Sequence, residues 1–202
     1  CYDISNPDVI FNYDLSYLKA GWVLHMLRHV VGDTAFYQIL ADYRAAYQGS
    51  AATTDEFRAV CESVAGRNLG WFFDEWIYGG GTPSYRYAWR QIVLDGRRYV
   101  EVYVHQVQTG GPPAFTMPID VQVTQTPDST ATYVVWNDAA AEHLLFPVTG
   151  GALTALTLDP MPWILWGTRS TTSFVEGPPK ILTMSPAPSA TTPAAGVSAF
   201  EV

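Results

Sequence analysis

Apolar residues recur three and four positions apart through residues 14–78 of the chain. This spacing places them on one face of a helix, so it predicts amphipathic helices rather than strands. Glycine-rich breaks divide the pattern into four segments, and the last one is short and aromatic. Its aromatic side chains, at 71–76, are expected to pack against neighbouring helices. The predicted helices cover residues 14–31, 33–49, 53–66 and 69–78.

Residues suited to helix ends lie at the boundaries of these segments. Gly32 and Gly66 follow the first and third helices, where glycine readily adopts the left-handed conformation that ends a helix. Asp33 is expected to cap the second helix. Thr53 and Glu56 have the spacing of a capping box, in which each side chain accepts a hydrogen bond from the other residue's backbone. The third helix therefore has the best-defined start.

Beyond Pro83 the pattern changes to an alternation rich in β-branched and aromatic side chains. A period of two predicts strands, since successive side chains of a strand point to opposite faces. Asp95 and Gly96 form a dipeptide typical of a two-residue hairpin turn. The predicted strands cover residues 85–90, 99–104, 115–125, 131–136, 143–148, 153–158 and 163–169. Their spacing of about ten residues favours two packed antiparallel sheets.

Together the patterns predict an α+β fold in which a helical bundle is followed by an antiparallel β-sandwich. We expect a helical unit at 1–82, a sandwich at 83–176 and a Pro-rich linker from 177 that leads into a new unit ending at 202. That last part, 177–202, contains a Ser-Pro-Ala element and resembles the start of a bacterial immunoglobulin-like repeat. The chain starts with Cys1 rather than Met, so we expect a processed product or a piece of a longer protein.

Composition narrows the range of partners. The 202 residues carry 19 acidic and 11 basic side chains, a net charge of −8, and only two of the basic ones are lysines. Phosphate binding needs clustered Lys and Arg, so nucleic acid and anionic membranes are not expected partners. No apolar run reaches the roughly 20 residues that span a bilayer, and we expect a soluble protein without a membrane span.

The two cysteines, Cys1 and Cys61, give little information about the redox compartment. They could pair in an oxidising environment, but two thiols so far apart in sequence are weak evidence for a disulfide. We interpret Cys61 as a buried helix residue. A lipid attached to Cys1 is a weaker alternative.

Two histidines in the first predicted helix have the spacing of metal ligands. His25 and His29 are four residues apart and would lie on one face, as helical zinc ligands do. The residue after His25 is not the glutamate that would serve as base, and Arg28 would repel a cation. We therefore interpret His25 as a core or near-core residue and His29 as a helix-end residue favoured by the helix dipole, with a zinc site as the less favoured alternative.

Several carboxylates are also candidate ligands. Asp74 and Glu75 are adjacent, so on a helix they would point about 100° apart, and we expect both to be solvated. Asp120, Asp138 and Asp159 lie in or beside predicted strands and could mark an ion site. Their spacing does not match a calcium loop.

Residues 17–28 read Tyr-Leu-Lys-Ala-Gly-Trp-Val-Leu-His-Met-Leu-Arg. This segment resembles a helix of the aminopeptidase N-like (gluzincin) zinc metallopeptidases, which opens with Tyr-x-Lys-Gly and often ends with His-Met-Leu-Arg. One departure is that Ala20-Gly21 stands where the family usually has Gly-Ala. Further segments follow the family order, so that the resemblance covers about residues 10–85. These segments are 32–36, 53–57, 66–69, 71–76 and 81–83.

The resemblance implies a catalytic role for Tyr17. In the family, the tyrosine of this motif donates a hydrogen bond to the oxyanion that forms when zinc-activated water attacks the peptide carbonyl. A phenol has a reference pKa of about 10, so it stays protonated at neutral pH and can donate where negative charge develops. Without the resemblance, a core aromatic at the start of a helix is the commoner interpretation of such a residue.

The resemblance also implies a zinc site that this sequence lacks. Such enzymes bind zinc through a His-Glu-x-x-His helix and a third ligand from a later helix, and the 202 residues contain no such motif. The motif would have to lie upstream, in the remainder of a thermolysin-like catalytic domain, which would be the partner of this chain. Zinc would belong to the parent enzyme, with no cofactor in this chain, and the chain alone is predicted to be inactive.

The leading functional hypothesis is the C-terminal fragment of a zinc aminopeptidase that hydrolyses N-terminal residues from peptides. Its helices would close one side of the active-site cleft, and its sandwich would support the helices. Two alternatives stay open: a non-catalytic binding or adhesion module, and a degenerate peptidase paralogue. The acidic balance, the few lysines and the Pro-rich segment favour a secreted or cell-envelope location in a bacterium.

Overall fold

A computed structural model describes residues 5–6, 8 and 11–182 of the chain. Cys1 and residues 183–202, which hold most of the expected linker and the immunoglobulin-like start, lie outside the described residues. The helices come first and the strands follow, so the predicted α+β order is confirmed. The helices are α1 (Lys19–Val31), α2 (Asp33–Tyr47), α3 (Thr54–Ala65) and α4 (Gly70–Phe73). One π-helical segment, Tyr13–Leu18, leads into α1, and another, Asp74–Tyr78, continues α4.

The predicted left-handed C-cap is confirmed at Gly66, whereas Gly32 ends α1 with a φ of 81° and a ψ of 160°, outside that conformation. The Thr53 hydroxyl accepts a hydrogen bond from the Glu56 backbone N–H at 3.3 Å, and the Glu56 carboxylate accepts one from the Thr53 N–H at 2.6 Å. The capping box of α3 is therefore confirmed. The prediction for Asp33 was wrong, because Gly32 occupies the N-cap position of α2. The Asp33 carboxylate instead accepts a hydrogen bond from Arg28 at 2.7 Å.

Within the described residues, eight strands form two sheets. They are β1 (Tyr85–Leu94), β2 (Arg97–Gln106), β3 (Met117–Gln125), β4 (Ser129–Asn137), β5 (Ala141–Val148), β6 (Leu153–Leu158), β7 (Arg169–Thr171) and β8 (Lys180–Ile181). The larger sheet has the order β7-β1-β2-β5-β8, and the smaller one has the order β4-β3-β6. The turn between β1 and β2 has positive φ at Asp95 (49°) and Gly96 (74°), which confirms the predicted hairpin.

The larger sheet differs from the wholly antiparallel sheet that the sequence predicted. Strands β1, β2 and β5 pair antiparallel, as does the whole of the smaller sheet. The two edge strands, β7 and β8, pair in parallel with β1 and β5. The sheets contact each other through Tyr133 and Phe146, whose ring centroids are 5.0 Å apart. The fold is thus the expected helical region and β-rich region, with a mixed larger sheet.

The predicted strand at 163–169 was wrong. Strand pairing begins only at Arg169, and we call the irregular segment before it, residues 159–168, the Asp159 loop. The Asp159 carboxylate accepts hydrogen bonds from the backbone N–H groups of Trp163 (2.9 Å) and Ile164 (3.3 Å) and from the indole of Trp166 (3.1 Å). Because these backbone donors are bound to a side chain, they do not join a sheet ladder.

One hydrophobic cluster runs from the helices into both sheets. Aromatic pairs cross the junction. Trp71 meets Trp136 of β4 with 5.7 Å between ring centroids, and Trp76 meets Phe115 with 4.9 Å. The aromatic run 71–76 was predicted to pack against helices, and it packs against the β region as well. Burial of these large rings therefore contributes to the stability of both regions at once.

The structure places the cysteine of α3 and gives the lengths of the helices. Cys61 lies in α3 with 0% of its surface exposed, so the predicted buried helix cysteine is confirmed. Its thiol is free, and burial raises the pKa of Cys61 to about 12, which makes it a poor nucleophile at neutral pH. Among the helices that the structure describes, none has the length and apolar character needed to cross a membrane.

Candidate functional site

Tyr17 lies on the π-helical segment that leads into α1. Its surface is 55% exposed, so it is not the core aromatic that its position at a helix start would otherwise indicate. The neighbouring Tyr13 is 67% exposed, and the two ring centroids are 6.4 Å apart. Isolated π-helical turns are rare and occur frequently at functional sites. The catalytic role of Tyr17 stays a prediction, and the exposure of its side chain is compatible with it.

Lys19 connects the start of α1 to the glycine-rich run at 79–81. Its ammonium donates a hydrogen bond to the carbonyl oxygen of Gly79 at 3.2 Å, and partial burial lowers the pKa of Lys19. Gly79 ends the second π-helical segment, and a Cβ there would lie 2.6 Å from the carbonyl oxygen of Glu75. Such a close approach requires glycine. The acceptor of Lys19 is therefore the backbone of a residue that must be glycine.

The glycine-rich run also contacts a second glycine pair, in the connection between β2 and β3. Gly81 has a φ of 86°, and a Cβ there would lie 2.9 Å from the carbonyl oxygen of Gly110. Gly111 has a φ of 83°, and a Cβ there would collide with the carbonyl oxygen of Gly80. The glycines at 80–81 and 110–111 therefore bring the backbones of the helical and β regions into direct contact, next to the carbonyl that Lys19 binds.

Glu75 adds a further connection across this junction. The prediction that it is solvated was wrong, since its carboxylate accepts a hydrogen bond from the backbone N–H of Thr116 at 2.8 Å. Burial raises the pKa of Glu75 above its usual range, with the Thr116 hydrogen bonds opposing the rise. Asp74, the adjacent residue, is exposed as predicted. The two carboxylates therefore do not converge on a common site.

His25 and His29 fasten α1 to the Asp159 loop and the smaller sheet. The His25 Nε2 donates a hydrogen bond to the carbonyl oxygen of Pro162 at 3.1 Å. Both imidazoles stack on the indole of Trp163, with centroids 4.6 Å and 4.8 Å from it. The His29 Nε2 lies 3.2 Å from the carboxylate of Asp120 on β3, although the angle is unsuited to a hydrogen bond.

These contacts do not fit a zinc site at the histidine pair. The Nε2 atom of His25 is occupied as a donor, and a donating nitrogen has no lone pair for a metal. His29 lies in the last turn of α1, as predicted, and its side chain is 9% exposed and faces Asp120. In the part of the chain that the structure describes, no three His, Cys, Asp or Glu side chains are placed to hold a metal ion.

The three aspartates that could have marked an ion site have separate partners. Asp120 faces His29, as described above. Asp138 lies 3.4 Å from the ammonium of Lys180, and Asp159 binds the N–H groups of its own loop. Burial raises the pKa of Asp159, and the hydrogen bonds from the loop oppose that rise. The carboxylates therefore serve local structure in three different places.

Sequence patterns did not indicate the ion-pair network that surrounds the buried Glu101 in the larger sheet. Glu101 on β2 is 1% exposed, and its carboxylate accepts hydrogen bonds from Arg90 at 2.7 Å and from the Nδ1–H group of His143 at 3.2 Å. Arg90 also donates to both carboxylate oxygens of Glu176, at 2.6 Å and 3.0 Å. The guanidinium lies 4.3 Å from the ring centroid of Phe174. Strand alternation predicts which face such residues occupy but not which distant side chains they meet.

Comparisons with known proteins agree with the motif in α1. Residues 2–76 match the sequence profile of the Peptidase family M1 domain. No curated protein sequence matches the chain.

Among solved structures, the chain is similar to the crystal structure of Legionella pneumophila aminopeptidase A in complex with aspartic acid. The TM-score is 0.63 at 14% sequence identity, and the match covers 79% of this chain and 18% of that one. At this identity the likeness shows the fold, and the chain spans less than a fifth of the length of that aminopeptidase. Residues 2–76 thus carry the sequence pattern of the peptidase family M1 domain, and the predicted resemblance to aminopeptidase N-like enzymes is confirmed.

Proposed function

We propose that this chain is the C-terminal part of a zinc aminopeptidase and contributes Tyr17 to its active site. The observation that carries the proposal is the M1 match over residues 2–76 together with the exposed phenol of Tyr17 within that range. A hydroxyl that binds a substrate must be accessible, and the Tyr17 side chain is 55% exposed.

The exposed apolar side chains around Tyr17 support the proposal that another part of the protein covers this surface. Phe11, Tyr13 and Leu18, from the same stretch of chain, are 65%, 67% and 47% exposed. Clustered exposed apolar side chains usually mark an interaction surface. The partner proposed is the remainder of the catalytic domain, which would hold the zinc ligands that this sequence lacks.

The chemical role of Tyr17 follows from its phenol. When a peptide carbonyl becomes tetrahedral, negative charge develops on its oxygen, and a preplaced hydroxyl donates a hydrogen bond to that oxygen. The donor lowers the energy of the transition state more than that of the substrate, whose carbonyl carries less charge. In the parent enzyme, bound zinc would supply the activated water for the attack. The chain alone, without those ligands, is predicted to be inactive.

The test compares the full-length parent protein with two variants on aminoacyl-p-nitroanilide substrates, with and without a chelator. Tyr17→Phe is expected to lower kcat by about 10²- to 10³-fold, since the loss of one oxyanion donor costs about 2.7–4 kcal/mol. Tyr13→Phe is the matched control, because Tyr13 lies on the same π-helical segment and is even more exposed. It is expected to change kcat by less than about twofold.

Each other outcome has a definite meaning. Chelator-sensitive activity that Tyr17→Phe leaves unchanged would remove Tyr17 from the mechanism. A parent protein without any chelator-sensitive peptidase activity would favour a binding module or a degenerate paralogue. We also propose a secreted or cell-envelope location in a bacterium, which fractionation of the native cells with an antibody to the β region would test.

A further inference from the structure

We propose that Lys19 is a positioning residue that orients Tyr17 by binding the backbone of the glycine-rich run at 79–81. The inference rests on the proposed function of Tyr17, and it assigns a task to a side chain that does not itself contact substrate.

Lys19 and Tyr17 face in opposite directions. Residues two apart on a helix are about 200° apart around its axis, so one can be anchored while the other is presented outward. The observed burial agrees with this geometry, since Lys19 is partly buried and Tyr17 is 55% exposed. At the start of this helix, the face that carries Lys19 is therefore bound to the glycine-rich run, and the opposite face carries the phenol of Tyr17.

The anchor point is a backbone carbonyl at the end of a helical segment. Gly79 ends the π-helical segment Asp74–Tyr78, where carbonyl groups lack helical partners and attract cations. The Lys19 ammonium, 3.2 Å from the Gly79 carbonyl, satisfies one such oxygen. A Cβ at Gly79 would lie 2.6 Å from the Glu75 carbonyl oxygen, so this position requires glycine.

The anchor also reaches the β region. Gly81, two residues after Gly79, lies against the backbone of Gly110. The Glu75 carboxylate accepts a hydrogen bond from the Thr116 backbone N–H. A connected set of contacts therefore runs from the β region through Gly79 to Lys19 and the segment that carries Tyr17. An oxyanion donor must lie about 2.7–3.1 Å from the developing charge, and a misplacement of about 1 Å can lower the rate by 10²-fold.

The first arm of the test measures kinetics in the full-length parent protein. Lys19→Met keeps the apolar stem and removes the donor, and it is expected to lower kcat by about tenfold or more while KM stays within about twofold. Lys19→Arg, which restores a donor, is expected to recover most of kcat. Lys180→Met is the matched control, because Lys180 is the other lysine of the chain and lies on the surface at β8. In a Tyr17→Phe background, Lys19→Met is expected to have no further effect on kcat.

The second arm observes Tyr17 directly and does not depend on activity. The full-length parent protein is labelled with 3-fluorotyrosine, and the ¹⁹F resonance of Tyr17 is identified as the one lost in Tyr17→Phe. Lys19→Met is expected to shift or broaden this resonance, whereas Lys19→Arg and Lys180→Met leave it in place.

The two arms separate the failure of this inference from the failure of the proposed function. An unchanged Tyr17 resonance in Lys19→Met overturns the positioning role, as does a kcat loss that persists equally in the Tyr17→Phe background. If the resonance moves but Tyr17→Phe keeps full activity, Lys19 orients Tyr17 as inferred, and the catalytic role of Tyr17 is the part that fails.

Discussion

Asp159 should be one of the residues on which the stability of this chain depends most. Its carboxylate is 2% exposed and accepts three hydrogen bonds from the loop that follows it. Its φ of 45° lies in the left-handed region, which Asn and Asp tolerate better than other side chains with a Cβ. Asp159→Ala removes the acceptor and keeps a Cβ in that conformation.

The expected cost follows from these contacts. Three hydrogen bonds at about 1 kcal/mol each, with about 1 kcal/mol of backbone strain, give a loss of about 3–4 kcal/mol. Asp159→Asn retains one acceptor oxygen and the tolerated backbone, so it should cost about 1–2 kcal/mol. Urea unfolding of the chain, followed by tryptophan fluorescence and far-UV circular dichroism, measures both values, provided that the m-value is unchanged.

The pH dependence provides a second, independent measurement. Burial raises the pKa of Asp159 in the folded chain, so the folded state holds a proton that the unfolded state has already lost. This contribution to stability is complete below the unfolded pKa of about 3.9 and is lost as the pH rises through the folded value. Asparagine has no such contribution, so the stability gap between the wild type and Asp159→Asn should narrow from pH 4 to pH 7.

Two results would refute this reasoning. A loss below about 1 kcal/mol in Asp159→Ala would mean that the loop finds other partners for its N–H groups. A stability gap that widens with pH would mean that the folded chain favours the charged carboxylate, so that the loop hydrogen bonds outweigh burial.

Three further predictions concern elements outside the proposed active site. Thr53→Ala removes the N-cap of α3 and should lower the free energy of unfolding by about 1 kcal/mol in urea titrations; an unchanged midpoint would mean that water replaces the hydroxyl at no cost. In a Cys1→Ser background, Cys61 should react with a thiol reagent only in denaturant, because it is 0% exposed and burial raises its pKa to about 12; rapid reaction in buffer would contradict that burial. Gly111→Ala should lower the melting temperature more than Gly96→Ala, since both have positive φ but only Gly111 meets a backbone carbonyl; equal shifts would show that the contact is not limiting.

Local signals in the sequence were sufficient for the helices and most of the strands. The capping box at Thr53 and Glu56 depends on residues three apart, and the hairpin at Asp95 and Gly96 depends on neighbours. Such short-range features can be read without knowing the fold. The motif that contains Tyr17 could be recognised for the same reason, because it is one continuous segment, residues 17–28.

Features that depend on distant partners were missed or misassigned. The segment at 163–169 has a strand-like composition, but its backbone N–H groups donate to the Asp159 carboxylate rather than to a neighbouring strand. Periodicity carries no information about which of these acceptors the N–H groups bind. Glu75 was expected in solvent because adjacent helix residues diverge, yet Thr116, 41 residues away, supplies its hydrogen bond. The place of His29 near a helix end was predicted correctly, but its neighbour Asp120 comes from a sheet and was not predicted.

The aromatic pairs across the junction limit how this protein could be recombined with its relatives. An exchange of one β region for another would join the two parts at the glycine-rich run, 79–81, which lies between them in the chain and contacts Gly110 and Gly111. Such a chimera would inherit Trp71 and Trp76 without the surfaces that Trp136 and Phe115 provide. It would need matching rings on the incoming part, so the helical and β regions should have diversified together, each constraining the substitutions accepted by the other.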